Sequence, residues 1–408
     1  MKRKWIYYLL TGIMGGVCVC GILNTQLIVV SESKRLSSNI RWELIITGFG
    51  SFSYALSCIF LSSISDRFGR LPCIAISSIF MGVLNALMGW KVLGVYQIWH
   101  FFFYWGLANL SFAVIFTGIE GLLSDYQDHS LSLAMRLGMY CVSWCLGDAI
   151  AAFITGYTKQ SFGPEILYKG ISIFCLLMFV LTVWDWVRFG YKKLGETDLR
   201  AEDIKPQAPF HATIGRIGLL FGSIAYSSLS SAFPRFGRDF HRFSEGEIGN
   251  LISLLMFISM ITFLFLTIWR RWQYNLTFQM TMQMPMAIGL LIGILTPSES
   301  LAILAVGFML FGFGWASSYF FSIYYSLTVP ANHSKSGGIH EAVIGVGNLI
   351  GPFAAVVAIF AVEKKAIFSA EKVGVSALIV GLACIIFSLS IQIFLIQKEK
   401  YRSIKTKV

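Results

Sequence analysis

The chain has 408 residues, 56% of them hydrophobic and only 13% charged, with a formal net charge of +11. A water-soluble domain carries about a quarter charged residues, so a large soluble core is excluded and the chain reads as an integral membrane protein. The positive charge does not mark a nucleic-acid binder, because the basic residues are scattered through short polar segments between apolar runs.

Met1-Lys2-Arg3-Lys4 leads directly into the first apolar run, 6–30, which is too long for a signal peptide and lacks a small-x-small cleavage site. A helix needs about 20 apolar residues to cross the hydrocarbon core, and this run supplies them. Further spans are expected at 42–64, 72–90, 95–124, 131–157 and 166–188. A polar stretch with mixed charge, Pro206 and Pro209 follows, and it reads as a linker. Six more spans are expected at 214–236, 245–269, 274–296, 299–329, 336–362 and 371–397, before a basic tail.

The expected fold is therefore all-α, with twelve transmembrane helices in two six-helix bundles. Residues 1–188 form the N-terminal bundle, 189–213 a cytoplasmic linker, and 214–408 the C-terminal bundle with its basic tail. Lys and Arg are in excess on the side of the N-terminus, which places both termini in the cytoplasm and the protein in the plasma or inner membrane.

The eight cysteines lie in or at the ends of spans, where they serve as small buried residues at helix contacts. Neither Cys18-x-Cys20 nor any other pair is read as a metal or disulfide framework. No nucleotide-binding loop, zinc-ligand spacing or nucleophile elbow appears, and the loops are too short to hold a catalytic centre. No enzymatic activity, cofactor or metal is expected.

An internal repeat relates the halves. Gly138 and Gly147-Asp148 of span five match Gly338 and Gly347-Asn348 of span eleven. Spans four and ten are each the longest of their half, and Arg270-Arg271-Trp272 falls where Asp66 to Arg70 falls in the first half.

Between spans two and three stands Ser65-Asp66-Arg67-Phe68-Gly69-Arg70. It is too charged for lipid, and its glycine suits a tight turn at the membrane surface. This segment resembles the Asp-Arg-x-Gly-Arg loop between helices 2 and 3 of the major facilitator superfamily, with Ser62 and Leu71 departing from the fuller pattern. The resemblance implies a gate: Asp66, Arg67, Gly69 and Arg70, with Asp66 near the start of helix 11 at Ser336 and Arg70 near Asp125 or Asp128 at the end of helix 4. Gly347-x-x-x-Gly351-Pro352 is similar to a drug/proton antiporter pattern, but it lies on span eleven rather than span five. The antiporter arginine and glutamine of helix 4 are absent.

Three acids, Glu120, Asp148 and Glu341, are placed within spans. Lys and Arg are counted with the segments between spans, so no base inside the membrane is expected to pair with these acids. Arg136, at a helix end, is the nearest candidate, for Glu120. A carboxyl group without a counter-charge in a low dielectric holds a proton or a cation. Asp148, Glu341 and Glu120, with His340 beside Glu341, are thus the proton-coupling candidates. Asp148 ranks first because it lies nearest the midplane.

The resemblance also implies that spans one, four, seven and ten line a central cavity. Asn24, Gln26, Asn109, Tyr226, Ser227, Trp315, Tyr319 and Ser322, with Asn348 opposite Asp148, are the cavity candidates. Hydrogen bonding between helices is the alternative use for each. Rings, hydroxyls and acids without an arginine suit a small neutral or cationic, partly apolar solute rather than a phosphorylated or carboxylated one. The expected function is secondary active transport by alternating access, driven by protons or another cation, in a monomer surrounded by lipid. A lipid or glycolipid flippase on the same fold, or a non-transporting membrane scaffold, is the alternative.

Overall fold

The computed structural model describes residues 2–32, 42–61, 65, 67–92, 94–125, 131–189, 206–297, 300–328, 333–362 and 370–405. All regular elements among them are helical, and twelve are long and apolar enough to cross a membrane. The first bundle comprises α1 (Lys2–Ser31), α2 (Trp42–Phe60), α3 (Arg70–Gly89), α4 (Ile98–Asp125), α5 (Leu133–Phe162) and α6 (Pro164–Phe189). The second comprises α7 (Ala208–Arg235), α8 (Glu245–Ile268), the broken α9 (Leu276–Thr281 and Met284–Leu295), α10 (Leu301–Thr328), α11 (His333–Val362) and α12 (Ala370–Lys405). Twelve crossings return the chain to the face where it began, here called the terminal face; the opposite one is the far face.

Side chains such as Phe103, Ile268 and Val187 are exposed all around the outside. A surface of that kind is stable only against lipid. Inside, the helices pack in matched pairs: α1 on α5, α3 on α6 and α2 on α4 correspond to α7 on α11, α9 on α12 and α8 on α10. The bundles meet along α5–α8 and α2–α11, two seams that exchange under the same symmetry.

The glycine repeat has a packing reason. A methyl group at Gly147 would collide with the Gly12 carbonyl of α1, and one at Gly347 would lie 2.8 Å from the Leu220 carbonyl of α7. Equivalent glycines thus let equivalent backbones touch, as small residues do where helices associate in lipid.

Two elements differ from expectation. Helix α7 begins at Ala208, six residues before the expected 214, because Pro209 sits in its first turn. There the missing N–H costs nothing and the fixed φ favours the helix. Span nine is split, and its second piece opens with a proline in the first turn. Pro285 cannot continue the preceding helix, and Gln283 fills the break by pairing with Gln392 and accepting from Ser388.

Gly147→Leu and Gly347→Leu should each reduce the yield of monodisperse protein and lower its melting midpoint, as overpacking of a tight contact costs about 1–3 kcal/mol or more. Gly170→Leu, with no atom within 4 Å of the added carbon, should change neither. A melting curve of the three variants in detergent checks this, and equal behaviour of all three would contradict the crossing.

Candidate functional site

At the terminal face, Gly69 takes φ +96°, a turn that a side chain would strain, and stands as the N-cap of α3. Arg67 is exposed, with its guanidinium over Phe68. Arg70 is buried and its guanidinium presses on Gly121, one turn before the end of α4. Asp66, Asp128 and the side chains of Asp125 and Ser336 lie outside the described residues. In the second bundle the matching loop makes the contact that symmetry requires: Arg270 donates to Ser132 (2.7 Å), the N-cap of α5.

About two turns in from this face, the bundles meet through acids. Glu120 of α4 and Glu341 of α11 lie within hydrogen-bonding reach of each other across the seam. Each also accepts from a phenol: Tyr140 of α5, in the same bundle, donates to Glu120 (2.8 Å), and Tyr54 of α2, across the α2–α11 seam, donates to Glu341 (2.5 Å). Tyr140, rather than Arg136 one turn nearer the face, thus supplies the donor to Glu120. His340 turns away from this cluster: its Nδ1 meets Ser322 at 3.1 Å and its ring packs on Tyr319.

Mid-depth is occupied by rings. Trp144 of α5 packs edge-on against Trp315 and tilted against Tyr319 of α10, with centroids 5.8 and 5.4 Å apart. Tyr226 of α7 stacks on Trp315 at 4.9 Å. Asp148 lies one turn beyond Trp144 on α5, against Gly15 of α1 and in electrostatic reach of Tyr226. It is only 6% exposed, and its Oδ1 has no hydrogen-bond partner.

Among the remaining cavity candidates, Asn24, Gln26 and Ser227 join helices, whereas Asn109 bonds within α4. Asn24 donates to the Pro164 carbonyl, Gln26 to Thr47, Asn109 to the Trp105 carbonyl and Ser227 to the Gly347 carbonyl. Asn348 is half-buried, and its Oδ1, like that of Asp148, has no partner.

The expectation of no base within the spans is corrected. Lys159 and Arg216 lie inside helices and Arg235 ends one, while two further buried acids, Glu43 and Asp185, lie within α2 and α6. Arg216 donates to Ser326 (3.2 Å), and Tyr7 donates to Asp185 (3.0 Å). At the far face Arg235 of α7 grips Glu43 of α2 through two nitrogens, and Lys159 of α5 pairs with Glu245 of α8. These pairs were missed because the charges near span ends were counted with the loops, although Glu43, Arg235 and Glu245 fall inside the expected spans 42–64, 214–236 and 245–269. The repeat carried the signal, since Glu43 and Glu245 both stand in the first turn of the second helix of their bundle.

A family model described as Major Facilitator Superfamily matches residues 20–352. Two solved structures are similar in fold, both of a bacterial homolog to the human lysosomal transporter Spinster. The inward-facing and occupied form has 13% identity and a TM-score of 0.68, with 96% of each chain covered. The inward-facing and unoccupied form has 14% identity and a TM-score of 0.65, with the same coverage. No curated protein matches the chain.

Removing one partner from the far-face pair strands a buried charge, which costs about 3–5 kcal/mol. Arg235→Leu should therefore lower the melting midpoint sharply, and adding Glu43→Gln should restore much of it. Additive losses in the double variant would show that the pair is not the source of the effect.

Proposed function

The chain belongs to the major facilitator superfamily, and from that premise we propose a secondary active transporter that moves a small neutral or cationic, partly apolar solute by alternating access, coupled to protons. The observation that carries the coupling is the Glu120–Glu341 contact between bundles. Two carboxyl groups in hydrogen-bonding reach, Glu341 buried and Glu120 half-buried, need one proton between them to avoid like-charge repulsion. Tyr54 and Tyr140 hold them in place without neutralising either. With the proton present, α4 and α11 are joined on the terminal side of the midplane; with it lost, that joint becomes repulsive and the bundles separate there. The far-face ion pairs hold the opposite side. A proton taken from one side and released to the other thus biases which face is open.

Asp148 serves the same cycle from the midplane. Tyr319, packed between Trp144 and His340, is in electrostatic reach of both glutamates, so the rings beside Asp148 continue into the carboxyl pair. A solute that moves these rings moves the joint.

The test is transport in proteoliposomes under an imposed pH gradient, with radiolabelled organic cations, neutral apolar solutes, carboxylates and a fluorescent lipid as the panel. The expected result is accumulation of a cation or neutral solute that a protonophore collapses. Glu341→Gln keeps a hydrogen-bonding group but removes the proton site, so it should abolish gradient-driven accumulation. Accumulation that ignores both the protonophore and the substitution would reject proton coupling. Movement of the lipid alone would favour a flippase.

A further inference from the structure

The mid-depth cluster carries polar atoms that its own fold leaves without partners. Trp144 and Trp315 are 7% and 6% exposed; among the described residues the Nε1 of Trp315 has no partner, and that of Trp144 has none better than the neighbouring Cys141 thiol, a weak acceptor. Asp148 Oδ1, one helical turn from Trp144, accepts from nothing, and burial rather than any lysine or arginine dominates its surroundings. Unpaired polar atoms in a dry interior are costly, and native folds keep them where a partner arrives from elsewhere. The rings also present π-faces: Tyr226 stacks on Trp315, and Trp144 and Tyr319 meet it at 5.8 Å. Ring faces attract a positive charge and stack on apolar bodies. Both bundles contribute, Trp144 and Asp148 from one and Tyr226, Trp315 and Tyr319 from the other.

Resting on the transporter reading above, we propose that Asp148 and the rings of Trp144, Tyr226, Trp315 and Tyr319 form the binding site for an organic ammonium ion with an apolar body and an oxygen acceptor. The ammonium charge answers the Asp148 carboxylate, which has no other counter-charge among the described residues. The π-faces take the apolar body and the alkyl groups on nitrogen. The two indole N–H groups require an acceptor on the solute, such as an ester or ether oxygen, which a bare alkylammonium lacks. An anionic solute finds no cation here and meets Asp148 as a like charge.

Benzoylcholine has all three features, and its neutral isostere, with a tert-butyl group in place of trimethylammonium, differs only in charge. Binding of both to the purified protein is measured by isothermal titration in detergent. Benzoylcholine should bind saturably, and the isostere at least about tenfold more weakly, the order of a desolvated cation–π and ion-pair contribution. Asp148→Asn should weaken benzoylcholine by a similar factor, Trp144→Ala should weaken it further, and Trp144→Phe should retain most of it. Melting midpoints identify any variant that fails to fold, and the isostere comparison needs no variant at all. Equal binding of the two ligands, or no saturable binding of either, overturns the proposal. Gradient-driven uptake of another solute without benzoylcholine binding also overturns it while leaving the transporter reading intact. Asp148-dependent binding without uptake supports the site and rejects the transporter reading.

Discussion

A polar group inside a membrane must find its partner within the protein, because lipid offers none. That constraint orders the interior of this chain. Where partners are supplied, as for Asp185 by Tyr7 or Gln283 by Gln392 and Ser388, the group fastens helices within one bundle. Where the partner lies in the other bundle, the group fastens the seam. Glu43 with Arg235, Lys159 with Glu245, and Glu120 with Glu341 are of this second kind. Where no partner is supplied among the described residues, as at Asp148 Oδ1 and the two indole nitrogens, the group is left open, and it is there that the solute site is proposed.

The seam is therefore layered. Ion pairs join the bundles at the far face, rings join them at mid-depth, and a carboxyl pair joins them nearer the terminal face. In the proposed cycle the last layer depends on a proton for its attraction, while the middle one carries the unpartnered Asp148 Oδ1 and indole nitrogens. In the cycle proposed above, a proton-sensitive joint and a solute-sensitive one lie in mechanical series. Tyr319 touches both layers, through Trp144 on one side and through the field of Glu341 and Glu120 on the other.

The twelve spans, the repeat and the turn at Gly69 were legible in the sequence, because length, apolarity and glycine spacing are local properties of the chain. Gly147 and Gly347 were visible as a repeat, and the structure supplies the reason, two equivalent backbone contacts. The pairing of acids was not legible in the same way. Nothing in one dimension brings Glu120 to Glu341 or Tyr54 to either of them, since those contacts depend on how two bundles dock. The far-face ion pairs were overlooked for a different reason: the charges lie within one or two turns of helix ends, where they were counted with the loops, and only Lys159 lay beyond an expected span end. Pro209 shows the same uncertainty from the other side, a residue read as linker that in fact opens α7. Small polar residues divided by environment rather than type. Asn24, Gln26 and Ser227 join helix to helix and Asn109 bonds within α4, whereas Trp315 and Tyr319 lie where the bundles face each other.

The central claim is that two rigid bundles rock about the ring layer. Pulsed EPR distances between spin labels test it most directly. One label pair replaces Phe60 and Ile268, exposed residues at the terminal-face ends of α2 and α8. A second replaces Phe103 and Leu295, exposed near the far face on α4 and α9. Moving from acid to alkaline buffer should lengthen the first distance and shorten the second. Both distances staying fixed through every change of proton or solute would contradict it.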